Sequence, residues 1–79
     1  MNEYNDKGLK EGYWERYYSN GNLNYRGNYI NDTKNGYWEV HYYVNGNLCR
    51  SGNYINDNKN GYWERYEIDG NLIEKEFHL

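Results

Sequence analysis

Residues 31–39 read NDTKNGYWE, and residues 56–64 read NDNKNGYWE. The two stretches differ at one position, and their last four residues, GYWE, also occur at residues 12–15. Aligned on their tryptophans, the copies divide the chain into units of about 12–35, 36–60 and 61–79, with 24 and 25 residues between successive tryptophans. A fixed period of this size indicates a repeat architecture, in which one unit is too small to bury its own apolar face.

Turn signals divide each unit into two strands. The pairs Asn20-Gly21, Asn45-Gly46 and Asp69-Gly70 are typical of two-residue type I′ hairpin turns, which need positive φ at both central residues. A second polar connection, NDTKNG or NDNKNG, joins one hairpin to the next. We therefore predict an all-β fold, a single-layer twisted antiparallel meander of stacked β-hairpin repeats in one domain over residues 1–79. Its six strands are expected at about 13–18, 23–30, 37–43, 48–55, 62–68 and 71–77.

The first turn also predicts a register. If residues 20–21 are the two turn residues, Tyr18 faces Leu23 and Trp14 faces Gly27 across the hairpin. A strand glycine exposes backbone, and a large ring across from it can cover that backbone. We expect the indole of Trp14 to lie on Gly27.

The middle unit repeats this pattern with Trp38 and Gly52, but it has one more residue between its tryptophan and its turn. A one-residue slip would turn every side chain of the strand to the wrong face. A β-bulge near residues 40–43 is therefore predicted to restore the alternation.

The two ends depart from the repeat. Residues 1–11 are a degenerate leader that resembles the tail of an earlier unit, with Gly8 where the connection has Asp. In the last unit Glu76 stands at the position of Gly27 and Gly52, and no second connection follows, so this unit is predicted to be a C-terminal cap. Residues 72–77 also allow a short helix, but the repeat favours a strand that pairs Arg65 with Glu74 and Glu64 with Lys75.

The pattern G-x-W-x-x-Y, N-G-x-L, G-x-Y, N-G resembles the variant MORN repeats of bacterial and viral proteins over about residues 3–79. The resemblance implies an elongated, twisted antiparallel sheet of stacked hairpins without catalytic residues, and a role in protein contact or oligomer assembly. Some bacterial members of that family are described as antitoxins. This chain differs in having only two complete units and in reading Asn-Asp where Asn-Gly is usual.

The charge distribution narrows the function classes. Residues 1–60 carry seven acidic and seven basic side chains, so the net charge of -3 arises from residues 61–79. Nucleic-acid binders and polybasic membrane anchors depend on clustered Lys and Arg, and this chain has no such cluster. We expect no direct nucleic-acid partner. No apolar run approaches the ~20 residues of a membrane span, and no signal-peptide core is seen near the first residue.

The remaining composition agrees with an intracellular protein. Cys49 is the single cysteine and cannot form an internal disulfide, which fits a reducing compartment, and we expect a cytoplasmic location. The Asn-, Lys-, Tyr- and Ile-rich composition without Ala or Pro is typical of AT-rich genomes and mobile elements.

Side chains for catalysis or metal binding are sparse. His41, His78 and Cys49 show no ligand spacing, and the predicted register places His41 opposite the cation Arg50. No nucleophile has a partner at a motif spacing, and the turn glycines precede no helix that could bind phosphate. We expect no enzyme activity, no metal and no cofactor.

Alternation along the strands predicts two faces. The core face should carry the three tryptophans, Gly27, Gly52, Tyr29, Tyr54 and the leucines Leu23, Leu48 and Leu72. The opposite face is both aromatic and polar, which suits partner binding. In the blander interpretation its tyrosines only fill strand positions for which they have high β-propensity. The candidate partner-binding residues are Tyr13, Tyr17, Arg26, Tyr37, Tyr42, Tyr62, Tyr66, Glu67, Glu74 and Glu76.

Three function classes stay open. The first is a protein–protein interaction module, a small inhibitor or antitoxin-like protein that covers a basic surface of a partner such as a toxin or nucleic-acid-processing enzyme. Self-association into a homo-oligomer belongs to this class. The second is a repeat module for carbohydrate or choline-type ligands, and the third is a single-stranded nucleic-acid binder that stacks bases on its aromatic rings.

Overall fold

The computed structural model describes residues 1–79 and contains a single antiparallel sheet and no helix. Each strand pairs with the strands directly before and after it in the chain, so the predicted meander of hairpins is confirmed. The Cα atoms extend over 41 × 35 × 11 Å, the shape of one layer with no second layer packed on it. The strands are β1 (Glu3–Tyr4), β2 (Lys10–Tyr17), β3 (Leu23–Ile30), β4 (Thr33–His41), β5 (Leu48–Ile55), β6 (Asn58–Tyr66) and β7 (Leu72–His78).

The two chain ends extend the sheet. The leader forms the short strand β1, which pairs with β2, so there are seven strands rather than six. Tyr4 packs its ring against Trp14 at 5.2 Å between centroids, and Trp14 donates its indole N–H to the Glu3 carbonyl at 3.1 Å. The prediction that the last segment is a strand is confirmed by β7, in which Glu74 faces Arg65 and Lys75 faces Glu64.

The tight type I′ turns lie at the Asn-Asp pairs. Asn31 and Asp32 have φ of 49° and 65°, and their neighbours Ile30 and Thr33 form the closing pair of β3 and β4. Two residues with left-handed backbone match the right-handed twist of the flanking strands. Strands β4 and β6 therefore begin several residues earlier than predicted.

The Asn20-Gly21 turn belongs to a three-residue loop, so the predicted type I′ turn at residues 20–21 is wrong. Only Gly21 has positive φ (91°), and the N–H of Tyr18 bonds the Asn22 carbonyl at 2.8 Å to close the loop. As a result Tyr17, not Tyr18, faces Leu23, although Trp14 still faces Gly27 as predicted. A glycine in the left-handed region at the third loop position is the usual way to close a hairpin of this length.

The extra residue of the middle unit lies in its loop. The register does shift between Val40 and His41, within the segment predicted to bulge, but the same shift follows Arg16 and Arg65 in the other two units. The shift is therefore a property of every unit. The N–H of Tyr42 bonds the carbonyl of Asn47 at 2.8 Å, which closes a loop of four residues in place of three.

Trp38 and Trp63 each cover the glycine of the preceding unit. A Cβ built on Gly27 would lie 2.1 Å from Cδ2 of Trp38, and one on Gly52 would lie 2.2 Å from Cδ2 of Trp63. The prediction that Trp14 lies on Gly27 is therefore wrong, although the two residues face each other in the backbone register. The indole leans toward the earlier strand because its N–H reaches a carbonyl there, as Trp38 does with Asn28 at 3.1 Å.

The core is small and aromatic. Only Tyr29, Trp38 and Trp63 are buried among the apolar side chains, and Trp14, Tyr25 and Tyr54 pack against them. Rings meet mostly edge to face, which is a favourable geometry for aromatic pairs. The placement of Leu72 in the core is wrong: it is 53% exposed and faces Tyr66, because the register shifts after Arg65. The same shift in the other units sets Leu23 opposite Tyr17 and Leu48 opposite His41, away from the tryptophans.

Side-chain amides connect the Asn-Gly loops of successive units. The amide groups of Asn20 and Asn22 both donate to the Tyr43 carbonyl, at 2.7 and 3.0 Å. In the next pair of units, Asn45 and Asn47 donate to the Ile68 carbonyl at the same two distances. These bonds hold one loop against the next without backbone pairing between them.

We predict that Gly27→Ala lowers the free energy of unfolding by about 1–3 kcal/mol, because a methyl group would meet the Trp38 indole. Urea unfolding measures the loss. The control is Asn28→Ala, which changes the adjacent exposed residue and should unfold within about 0.5 kcal/mol of the wild type. A Gly27→Ala protein as stable as the control would show that the indole does not lie on this glycine.

We predict that deletion of Val44 leaves the fold intact. Val44 is 72% exposed, and its removal leaves a loop of the same length as the loops at residues 19–21 and 68–70. Backbone chemical shifts should stay strand-like and retain the pairing of Trp38 with Gly52. Deletion of Tyr37, which lies in β4 between the two-residue turn and Trp38, is the matched comparison and should unfold the protein, because that turn has no residue to spare and Trp38 would move to the other face. Unfolding by both deletions would place the extra residue in the strand.

Candidate functional site

The sheet has two faces that differ in chemistry. The tryptophan face carries the three tryptophans with Tyr25, Tyr29, Tyr54 and the lysines that lie over their rings. The tyrosine face carries the alternate residues. It is defined by Tyr13, Tyr17, Tyr37, Tyr62 and Tyr66, by Ile30, Ile55 and Phe77, and by a row of polar side chains.

The polar row crosses β2 to β7 of the tyrosine face. Its members face one another strand by strand: Glu15, Arg26, Glu39, Ser51, Glu64 and Lys75. The register confirms that Glu15 faces Arg26, but the guanidinium bonds on its other side, where Nε donates to Glu39 at 2.8 Å. The row alternates in charge over its first three members, so neighbouring strands attract across the sheet.

Glu39 is the most highly bonded carboxylate of this row. It accepts hydrogen bonds from Arg26 Nε at 2.8 Å and Tyr37 Oη at 2.8 Å, and His41 Nε2 lies 3.0 Å from Oε1. Burial by itself would raise the pKa of Glu39, but the bonds from Arg26, His41 and Tyr37 outweigh it and hold the pKa below its ordinary value. The group is therefore a structural anion at neutral pH.

Several tyrosine rings of this face are exposed to solvent, and some of their hydroxyls are hydrogen-bonded to glutamates. Tyr17, Tyr37 and Tyr62 are 56%, 49% and 60% exposed. The hydroxyls of Tyr17 and Tyr66 donate to Glu15 and Glu64 on the same strand. Tyr62 meets Phe77 edge to face at 4.8 Å, and Tyr13 is half-buried. A ring fixed at its polar end offers contact area at little further cost in side-chain entropy.

Tyr42 does not belong to this surface as predicted. Counted from the tryptophan, the middle-unit equivalent of Tyr17 and Tyr66 is His41, because the extra residue lies later, in the loop. Tyr42 corresponds to Tyr18 and is partly buried, and its hydroxyl donates to the Tyr66 carbonyl at 2.6 Å. It links two units.

The acidic candidates lie elsewhere. Glu76 faces Trp63 across β6 and β7, so Glu74 and Glu76 lie on the tryptophan face, at the free edge of the sheet. Glu74 accepts a bond from Arg65 Nη2 at 2.9 Å. Glu67 precedes the last loop and is exposed. Without Tyr42, the predicted residues therefore divide between a tyrosine surface and a separate acidic edge, and they do not form one continuous site.

A groove on the tryptophan face was missed by the sequence analysis, which treated that face as core. It has a volume of about 220 Å³, and Trp38 at its floor is only 2% exposed. The ammonium of Lys34 lies 5.3 Å from the Trp38 ring and 5.1 Å from the Tyr54 ring. The groove is lined by Asn24, Tyr25, Tyr29, Lys34, Trp38, Val40, Arg50 and Tyr54.

The structure brings together no group of three His, Cys, Asp or Glu side chains that could hold a metal ion. The predicted position of His41 opposite Arg50 is wrong: the bulge places it opposite Leu48, with Nδ1 2.9 Å from the Gly46 carbonyl oxygen. No helix in the structure has the length and apolar character needed to cross a membrane.

Comparison with the models of known protein families, with curated proteins and with solved structures found no match to this chain.

We predict that Glu39→Gln destabilises the protein at pH 7 by about 1.5–3 kcal/mol, the usual range for a hydrogen bond to a charged group. Because the folded-state pKa of Glu39 is held below its ordinary value of 4.5, its contribution is present above pH 4.5 and is lost as the pH falls toward the folded-state pKa. Urea unfolding at pH 7 and near pH 3 should show the gap between variant and wild type closing at low pH. Glu11→Gln is the control, at a carboxylate that accepts two uncharged hydrogen bonds and makes no ion pair. A gap independent of pH would mean that the charge of Glu39 does not matter.

Proposed function

We propose that this protein is a non-enzymatic protein-binding module, a small inhibitor or antitoxin-like protein that covers a basic surface of its partner. The observation that carries the proposal is the single open sheet, 11 Å thick, with an exposed tyrosine face and an acidic edge at β7. Binding in the cytoplasm, and to a toxin or a nucleic-acid-processing enzyme, is part of the same proposal. The resemblance to MORN repeats points in the same direction.

The tyrosine face supports the contact part of the proposal. Six of its large side chains are about half exposed or more, a high density for one side of a small sheet: Tyr17, Ile30, Tyr37, Ile55, Tyr62 and Phe77. Exposed apolar surface of this kind is a common mark of protein interfaces, in which tyrosine is enriched. A layer of another protein placed on this face would bury these rings as a second sheet does in a sandwich.

The acidic edge supports the electrostatic part. Residues 61–79 carry five acidic and two basic side chains, and Arg65, one of the two bases, is already paired with Glu74. A local surplus of negative charge raises the association rate with a basic surface and does so less at high salt. Nucleic-acid-binding proteins present such basic surfaces.

The two alternatives receive less support from the geometry. Trp38 and Trp63 lie on glycines and are 2% and 5% exposed, so their ring faces are not open platforms for a sugar, a choline group or a base. The groove with Tyr25, Tyr54, Lys34 and Arg50 is the feature that favours a small ligand. Three of its eight lining residues are polar: Asn24, Lys34 and Arg50.

We predict that the double charge reversal Glu74→Lys with Glu76→Lys weakens partner binding at least tenfold at low salt, because it replaces the attraction at the edge by repulsion. The matched control reverses Glu3 and Asp6, which gives the same change in net charge at the other end of the sheet. Tagged wild type, variant and control are expressed in the native host, and co-purified proteins are quantified at two salt concentrations. The control should capture the partner as the wild type does.

The tyrosine face is tested with Tyr17→Ser, Tyr37→Ser and Tyr62→Ser together, after the triple variant has been shown to unfold cooperatively. We expect loss of the same partner. A chain that sediments as a monomer, and captures nothing that either set of substitutions removes, would contradict the protein-binding proposal and leave the tyrosines as strand formers only.

A further inference from the structure

The two edges of the sheet are finished differently. At the N-terminal edge, the side-chain amide of Asn2 donates to the Glu15 carbonyl at 2.8 Å and accepts from the Glu15 N–H at 2.8 Å. The N–H of Asn2 also bonds the Tyr13 carbonyl at 2.9 Å. One asparagine therefore occupies the backbone groups that a further strand would use. Nothing comparable covers β7, which pairs with β6 alone.

These contacts show which backbone groups of β7 are free. Because the N–H and C=O of Glu15 point away from β3, Glu15 and Arg26 form a non-hydrogen-bonded pair, and the backbone of Arg26 faces β4. Lys75 stands in the last hairpin where Arg26 stands in the first, opposite Glu64. The N–H and C=O of Lys75 therefore point outward from the sheet, and by the same alternation so do those of Phe77.

The ladders inside the molecule show what a strand beside β7 should present. Arg26 is faced by Glu39, and Ser51 by Glu64, so the residue at this position on the outer strand is acidic in both cases. That residue would lie opposite Lys75. Its two neighbours would lie on the tryptophan face, opposite Glu74 and Glu76, where a carboxylate calls for Lys or Arg.

A second copy of the chain is a poor occupant of this edge. Two β7 strands paired antiparallel about Lys75 would set Glu74 against Glu76 twice, and like charges directly opposite are destabilising. Strand β2 offers Glu15 and Arg16 in the right order, but Asn2 already binds its edge. Its tryptophan would also need a glycine where β7 has Glu76.

We propose that the free edge of β7 binds an extended segment of the partner protein as an added antiparallel strand, with an acidic residue opposite Lys75 flanked by two Arg or Lys residues opposite Glu74 and Glu76. The inference rests on the proposed protein-binding function and adds its mode. Backbone bonds to Lys75 and Phe77 provide the pairing, and the side-chain charges select the sequence and its register.

A synthetic peptide tests the edge directly. The probe is fluorescein-labelled Thr-Val-Arg-Glu-Arg-Val-Thr with blocked ends. The control is Thr-Val-Glu-Arg-Glu-Val-Thr, in which every charged residue has the same sign of charge as the β7 residue that it faces. The first peptide should bind about tenfold more tightly or better, since three opposite-charge pairs replace three like-charge pairs. Amide exchange should slow at Lys75 and Phe77. Equal binding of the two peptides, no binding at millimolar concentration, or unchanged exchange at both amides would overturn the proposal.

Two substitutions at one position separate backbone pairing from charge. Lys75→Pro removes an outward N–H and no bond to β6, so the protein should remain folded by circular dichroism while the probe peptide is lost. Lys75→Gln keeps the N–H and should retain most of the binding. If Lys75→Pro binds the peptide as the wild type does, no strand is added at this edge.

The same pair of variants distinguishes this inference from the proposed function. If the partner found in the host is captured equally well by Lys75→Pro, but not by the tyrosine triple variant, then the protein-binding function stands and strand addition at β7 is wrong. If neither variant changes anything because no partner is captured at all, the proposed function fails, whatever the peptide does.

Discussion

The contact between the Trp38 indole and Gly27 is the interaction on which the rest of the structure depends. No unit can bury its own ring, since its glycine lies under the tryptophan of the following unit. The absence of a Cβ lets the ring lie flat against backbone, and the indole N–H bonds a carbonyl of the earlier strand. Burial is thereby shared between neighbours, which is how a sheet without a second layer obtains a core at all.

The turns hold the units in register by a different means. Asp32 accepts the Lys10 N–H at 2.6 Å and donates its own N–H to the Lys10 carbonyl at 3.0 Å, and Asp57 does the same with Lys34. These turn residues therefore satisfy backbone groups just beyond the ends of the β2–β3 and β4–β5 ladders. This arrangement is demanding on sequence, because the turn must supply both left-handed backbone and an acceptor. It explains why Asn and Asp recur so strictly at the connections.

The way the core forms also determines which surfaces remain for function. One face is partly occupied by core formation, so the opposite face and the edges hold the surface that the fold does not need. At one edge Asn2 imitates a strand and ends the sheet. At the other, Glu76 replaces the glycine and no tryptophan can follow, yet the backbone of β7 stays free. Side chains at both edges thus oppose the addition of a second copy of this chain, but they do not oppose the addition of a strand from a different protein at β7.

The sequence by itself determined the repeat period, the all-β meander and the backbone register that sets Trp14 opposite Gly27. These follow from alternation and spacing, which act within one hairpin. The tertiary structure decided which indole covers which glycine, because the lean of a ring across a strand boundary depends on a carbonyl in the neighbouring unit. It also decided the turn types, since Asn-Asp and Asn-Gly can both adopt left-handed backbone and only loop closure selects between them. The placement of His41 rather than Tyr42 on the tyrosine face has the same origin: the extra residue of the middle unit is accommodated in the loop, where insertion disturbs no ladder.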